Sequence, residues 1–507
     1  MSLGGVFTLI SNQGLQDQLL MQTDALRAAI TQMECDKMAS LRKKFPNMTD
    51  DQIRVADNSW LPTLAAIDRS HSIFISASYK PFATIAHEYS KTIPSIGSPS
   101  LGSTFSFVLP LIGDFVNDAV MHITLTGLSA KSNLDKVRYV EMLGHRLTKL
   151  VRLKVQNQEI DSYTTDTQNA NFQFKVPLHK ETGYLRNIGQ ELPKQGYLTA
   201  DPTVDEVREY RWFGDGPQTF KYQQQDVEMW IPIWFWFKDV QCSLPNFILP
   251  KNQTEIEITL ETENNLVAFA DYGGGGQYNV PTIKNCELYL NHLFMLPEIT
   301  NLFIRRFGMQ LIRVHRVHNE TLTASATNVR LQQLKWPLEN LFIGFRPKAN
   351  LLNSQKWYKN THITNVAVKE AVVTGVASIL VNNAIYFNEL HPVSSLGLRA
   401  NDVIIYPSVQ PEFYNNYIPL RYGCNYKTPK DLGWYMMNFN FNPGEYQPSG
   451  HFNCSRAREL YLEYVSNVDA SNNNIISSST PVDLMVIADA INFIWYQNNT
   501  MTLRFAT

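Results

Sequence analysis

Glu255-Ile256-Glu257-Ile258-Thr259-Leu260 alternates polar and aliphatic side chains without a break. Successive side chains on a β-strand point to opposite faces, so a strict period of two puts Ile256, Ile258 and Leu260 on one buried face. The same pattern runs upstream. Phe105, Phe107 and Leu109 alternate with Thr104, Ser106 and Val108, and Met121, Ile123 and Leu125 alternate with His122, Thr124 and Thr126. Val151, Leu153 and Val155 alternate with Arg152 and Lys154 up to a turn-like Gln156-Asn157, and Phe172, Phe174 and Val176 alternate with Gln173 and Lys175. Downstream it returns at Leu288 and Leu290, at Leu341, Ile343 and Phe345, and at Phe439 and Phe441. Leu460, Leu462 and Tyr464, then Met501, Leu503 and Phe505, complete the set. Many short strands punctuated by Pro, Gly and Asn predict an all-β antiparallel sandwich class. No helical pattern of ~10–15 residues separates successive strands, which excludes a βαβ fold.

One helical stretch precedes the strands. Leu15, Leu19, Leu26, Ile30 and Met33 recur at near-helical spacing after a capping Asn12, and Arg42-Lys43-Lys44 close the segment before Phe45-Pro46. Positive charge suits the C-terminal end of a helix, and the proline stops it. Such a helix either packs on its own domain or docks on another chain or a membrane surface. The glycines 273–276 read as a backbone-dominated connector. This divides the chain into an arm at 1–70, a first β domain at 71–265, a connector at 266–282 and a second β domain at 283–507. Both halves are too long for eight strands of ~5–6 residues each, so 183–228 and 351–435 are expected to be long functional loops.

Composition narrows the function. The 507 residues carry 44 Lys+Arg against 46 Asp+Glu, a formal net charge of -2, which excludes a broad electrostatic hold on nucleic acid. Charged residues are 18% of the chain, below the roughly 25% of ordinary soluble proteins, so much of the surface is expected to be covered by a partner. The 27 Phe, 23 Tyr and 9 Trp favour strands and interfaces. Five scattered cysteines without a paired spacing indicate a reducing compartment. The first residues lack the positive region of a secretory signal, and the longest apolar run, about nine residues from Met229 to Phe237, is far below the roughly 18 of a membrane span.

Chemical motifs are scarce. Gly273–Gly276 is not followed by Lys-Ser/Thr, so it reads as a linker rather than a phosphate loop. His315 and His318 are three apart in a strand pattern and should face opposite sides, which argues against shared metal ligation. No nucleophile elbow or paired-carboxylate signature stands out, so no catalytic residue, cofactor or metal is assigned. Two segments are more specific. Trp230-Ile-Pro-Ile-Trp-Phe-Trp-Phe237, read as an extended stretch, is apolar on both faces, with Trp234 and Trp236 on one side and Phe235 and Phe237 on the other. It reads either as a core strand or as a strand with one face on another subunit, and Pro232 should mark its start or an edge. Asn442–Arg458 is too rich in Pro, Gly and Asn for plain strand; there Arg456, Arg458 and Glu459 pair internally or across an interface.

That second segment carries a resemblance. QPSGHFNCSRARELYL (447–462) resembles the QPSG-x-N-x-SR region near the C-terminus of the major capsid proteins of nucleocytoplasmic large DNA viruses, most of all those of asfarvirus type. GGVFTLISNQG (4–14), SYKPFATIAHEYSK (78–91), GSPSLGSTFSF (97–107) and TGYLRNIGQE (182–191) extend it. So do ELYLNHLFMLPEITNLFIRRF (287–307), LKWPLENLFIGFRP (334–347), YIPLRYGCN (417–425) and AINFIWYQNNTMTLRFAT (490–507), all in one order along the chain. The resemblance implies two consecutive eight-stranded jelly rolls and a pseudo-hexagonal homotrimer tiling an icosahedral shell. It implies no enzyme activity. The implied partners are neighbouring capsomers, penton and minor capsid proteins, an assembly chaperone and, indirectly, an inner viral membrane, with no direct nucleic-acid contact. Location would be the virion, after assembly in the host cytoplasm. Leu19, Leu26, Ile30, Trp234, Trp236, Arg456 and Arg458 are the candidate assembly or structural residues. The rival reading from the residues alone is a carbohydrate-binding or carbohydrate-active β-sandwich.

Overall fold

The computed structural model describes residues 25–49, 52–53, 85–110, 112–132, 135–190, 194–198, 209–213, 222–250, 252–270, 277–295, 300–301, 304, 308–354, 356–369, 383–497 and 500–505. Within them the alternating segments become strands. The first set comprises β1 (Ile85–Thr92), β2 (Thr104–Val108), β3 (Phe115–Leu125), β4 (Thr148–Val155), β5 (Gln158–Thr164), β6 (Val227–Pro232), β7 (Thr254–Leu260) and β8 (Ile283–Met295). The second comprises β9 (Met309–Leu322), β10 (Ala326–Arg330), β11 (Pro337–Pro347), β12 (Val393–Ala400), β13 (Val403–Val409), β14 (Trp434–Asn438), β15 (Leu460–Ser466) and β16 (Val482–Gln497).

The two sets repeat one pairing order. In the first, β1-β8-β3-β6 form one sheet and β2-β7-β4-β5 the other; in the second, β9-β16-β11-β14 and β10-β15-β12-β13 do the same. Counted along each set, both read 1-8-3-6 and 2-7-4-5. That order is the eight-stranded jelly roll, present twice. Register aligns the apolar residues across strands: Phe107, Ile256 and Leu153 stand opposite one another, as do Phe105, Ile258 and Val151. In the second set Leu462 stands opposite both Val329 and Leu398. All of these are buried. Gln156 and Asn157 both have positive φ (51° and 64°), the geometry of a two-residue hairpin turn between β4 and β5.

Several expectations are corrected. Residues 172–176 are not a strand but the end of helix α2 (Thr165–Lys175), whose residues Thr167 to Phe174 are all buried. A segment enclosed on every side has no polar face, so its apolar spacing carries no period. Asp166 in its first turn and Lys175 in its last match the helix dipole. The extended stretch through Phe237 stops at Pro232, and Trp236–Lys238 is a 3-10 turn, so Trp234 and Trp236 do not share a strand face. Pro232 ends β6 on the sheet edge because it has no N–H for a further ladder bond.

The second strand set also starts later than expected: β8, at 283–295, belongs to the first set's sheet beside β3. The expected long loop at 351–435 contains β12, β13 and the hairpin His362–Lys369/Asn383–Leu390. Phe441 was expected on a buried face and is 80% exposed. Its strand ends at Asn438, whose side chain bonds the backbone of Asn440 (2.7 and 3.0 Å) and competes with the ladder.

The chain forms a small unit, which includes α1 (Ala25–Lys44), and a large one containing most of both sandwiches. The basic last turn Arg42-Lys43-Lys44 of α1 is as expected. Leu19 lies outside the described residues, and Leu26 and Ile30 are in α1 with side chains outside them. No described helix is long and apolar enough to cross a membrane.

Candidate assembly surfaces

The first sandwich meets the second through its fifth strand. β5 is the edge of its sheet, and so is β9. Asp161 of β5 is 1% exposed; it accepts hydrogen bonds from the His315 backbone N–H and from Nδ1 of the same ring, both at 2.9 Å, with Arg316 at 3.8 Å. α2 covers the outward face of the second sandwich: Lys175 pairs with Asp489 at 2.7 Å, Asp166 with Arg346 at 2.6 Å, and the Phe174 ring lies 4.7 Å from Phe342. This is why β16 is buried on both faces from Leu484 to Ile491, and why its Asp489 is tolerated there. Burial pushes the Asp489 carboxyl up, but Lys175, His315 and Arg313 outweigh that and hold it below the ordinary range. Glu181 adds a second lock, accepting from Lys427 at 2.5 Å and Lys430 at 2.6 Å.

A third contact is sensitive to pH. The Glu141 carbonyl accepts from the Trp357 indole at 2.7 Å and its carboxyl from the Tyr358 hydroxyl at 2.9 Å. Burial raises Glu141 to about 7, against the opposing pull of Tyr358, Arg138 and Lys359. The folded state therefore holds this proton more tightly than the unfolded one. Stability should be full below the unfolded pKa near 4.5 and fall as pH rises toward about 7. Urea melts of Glu141→Gln should flatten that slope, with a gain on the order of 3 kcal/mol at pH 8 relative to the parent. Parallel pH profiles for parent and variant would remove Glu141 from the linkage.

Among the described residues, the equivalent edges elsewhere have no further strand paired to them. β13, the fifth strand of the second sandwich, exposes Val403 and Ile404 at 67% and 66%. β1, the first strand of the first sandwich, exposes Ile85 and Tyr89 at 54% and 56%. Thus, among the described residues, the 5-to-1 junction is made once, and one fifth strand and one first strand remain at the edges of their sheets. The sequence did not single out either edge, because Val403-Ile404-Ile405 has the composition of a core strand. Only the pairing order could have flagged it.

The sequence-derived candidates divide. Trp234 and Trp236 are buried at the junction: the Trp234 backbone N–H donates to the Tyr163 hydroxyl at 3.1 Å, and Tyr163 packs 5.3 Å from Phe235. Arg456 and Arg458 are exposed, with no ion pair among the described residues, whereas Glu459 pairs with Arg330 at 3.5 Å. The expected internal pairing of those two arginines is thus absent from the described residues. His315 and His318 go to separate partners, Asp161 and Glu320, and no metal-ligand cluster occurs among the described residues. All five cysteines are free thiols.

Comparison with known proteins agrees with this architecture. Residues 73–295 match the profile of the major capsid protein N-terminus, and 301–505 that of the large eukaryotic DNA virus major capsid protein. The hexon protein p72 of African swine fever virus is 26% identical, with both chains covered in full. The major capsid protein of Frog virus 3 is 20% identical over 74% of this chain and 78% of its own. Among solved structures, the Faustovirus major capsid protein superposes with a TM-score of 0.73 at 27% identity, covering 96% of this chain and all of its own. The PBCV-1 capsid protein superposes at 0.62 and 18% identity, covering 86% of this chain and all of its own, which supports the fold.

Proposed function

Because this chain belongs to the major capsid proteins of large eukaryotic DNA viruses, and so builds the virion's capsid, we propose that it does so as a homotrimer of six like sandwiches. The observation that carries this reading is the unequal covering of equivalent edges. Within one chain the fifth strand of the first sandwich is buried on the first strand of the second. In the assembly the free fifth strand, β13, meets the free β1 of the next copy. A head-to-tail contact of this kind closes into a ring when the rotation allows, and three copies with two sandwiches each give nearly equivalent junctions all round. The trimers then join neighbouring capsomers, penton and minor capsid proteins through weaker contacts that add by multivalency. Assembly takes place in the host cytoplasm, with a chaperone holding the open edges apart beforehand, and no catalytic step belongs to the chain. We place the division between the sandwiches at 296–308, after β8. The N-terminal arm docks at the inner side of the shell through Leu19, Leu26 and Ile30, the basic end of α1 toward acidic partners or the headgroups of an inner membrane. Arg456 and Arg458 serve contacts between capsomers.

Light scattering tests the trimer. The purified chain should give a mass near three times 58.0 kDa that survives micromolar dilution; a stable monomer would sink the reading. The same measurement on a chain lacking residues 1–45 tests the arm. Intact trimers that fail to close into particles would support docking, whereas an unfolded or aggregated trimer would make α1 a domain element.

A further inference from the structure

Two adjoining cavities open at the junction of the sandwiches, of about 620 and 470 Å³, and share Lys175, Pro177, Trp234 and Lys238 in their walls. These volumes are typical of ligand clefts, ~300–1,000 Å³. Their cations are not equivalent. Lys175 is taken up by Asp489 and Arg313 by Glu339. The Lys238 ammonium lies over the Trp234 ring, 4.2 Å from its centre, and makes no ion pair or hydrogen bond with the described residues. Burial pushes this ammonium down to about 8, against the opposing pull of Asp239, Asp489 and Asp118 and with Lys175 adding to the shift. Asp118, the carboxylate of the smaller cavity, is itself raised by burial, with Lys238 opposing it, and Lys180 stands at the same cavity as an exposed cation.

A second observation points the same way. The larger cavity is walled by Asn171 and Trp236, 1% and 6% exposed, whose amide and indole N–H groups find no acceptor among the described residues. Buried donors without acceptors are costly and uncommon. These buried unpartnered groups are donors and call for a ligand that brings acceptors, while the carboxylates at the cavities, Asp239 and Asp118, stand beside the lysine. One spare ammonium with no free arginine fork suits a carboxylate better than a phosphate. The indoles, with Val240 and Leu311, suit apolar side chains on either side of it. Two joined lobes suit an extended segment rather than a compact solute.

We propose that this cleft binds a short acidic peptide segment of a partner protein, its carboxylate on Lys238 and its apolar neighbours against Trp234 and Trp236. The site is complete within one chain, so it does not rest on the trimer. Pools of blocked pentapeptides with a central glutamate, or a central glutamine, between varied apolar residues are dialysed against the full-length protein, whose mass is checked by light scattering in the same sample. The glutamate pool should be retained at least tenfold better, and Lys238→Met should bring the ratio near one. Lys180→Gln, an exposed change that leaves the core untouched, should lower it severalfold. Equal retention of the two pools by the parent protein would overturn the proposal, as would a ratio that neither variant changes. Millimolar inorganic phosphate bound in a Lys238-dependent way, without discrimination between the pools, would make this a phosphate site and equally overturn the peptide assignment.

Discussion

Ile404→Lys should abolish the proposed trimer while leaving the chain folded. Ile404 is 66% exposed on the free edge β13, paired only with β12 through Arg399. A lysine there projects into solvent in the single chain, and substitutions of that kind change stability by no more than about 0.5 kcal/mol. In the assembly the same ammonium would be enclosed against β1 of the next copy without a counter-charge. An unpaired buried charge costs several kcal/mol, roughly 3–5 when one partner of a buried pair is missing, enough to shift association more than a hundredfold. Light scattering should therefore report a monomer, and near-UV circular dichroism should stay native. A variant that still trimerises with unchanged dissociation on dilution would remove β13 from the interface. An edge strand with exposed Val and Ile is also an aggregation hazard, which is a physical reason for the chain to need a partner promptly after folding.

The second large effect lies inside the chain. Asp161→Ala should destabilise by about 3–5 kcal/mol, because it strips the acceptor from two buried donors of His315 and leaves the Arg316 guanidinium nearby without its carboxylate. Asp161→Asn keeps one acceptor oxygen and should lose less. Urea melts in the Ile404→Lys background separate this from assembly, since the stability of an obligate oligomer depends on its concentration. The two sites belong to different edges and share no partner, so their effects should add. The loss should come with a broader transition, as the sandwiches cease to melt together. A loss below about 1 kcal/mol would mean that the contacts of α2, Lys175 with Asp489 and Asp166 with Arg346, hold the junction without Asp161.

Membership of the family was legible from the motifs spread between residues 4 and 507, and the assembly role followed from it. The proposed assembly surfaces were not. Trp234 and Trp236 drew attention as conspicuous aromatics, and the structure buries both, whereas Val403 and Ile404 drew none and are two-thirds exposed. Composition reports how apolar a segment is, and an interface strand is as apolar as a core strand.

What the sequence by itself determined is the local period. Wherever one face of a strand meets the core and the other meets water, as at Ile256, Ile258 and Leu260 or Val151, Leu153 and Val155, alternation names the buried side chains, because the strand's two-residue repeat is imposed by backbone geometry. The hairpin at Gln156-Asn157 was legible for the same reason, being a matter of two backbone conformations. Where burial is complete, that signal vanishes: α2 lies between the sandwiches and presents apolar and polar residues on all sides, the Gln168 amide N–H bonded to Thr148 and the Asn169 side-chain oxygen to His145. Only the tertiary structure decided that 165–175 is helix, that β8 belongs to the first sandwich, and that the order 1-8-3-6 is used twice. Those outcomes depend on which segments meet across more than a hundred residues of chain, as Asp161 and His315 do. A pairing of that range leaves no mark on the neighbours of either residue, so β5 is closed and β13 open for reasons that lie elsewhere in the molecule.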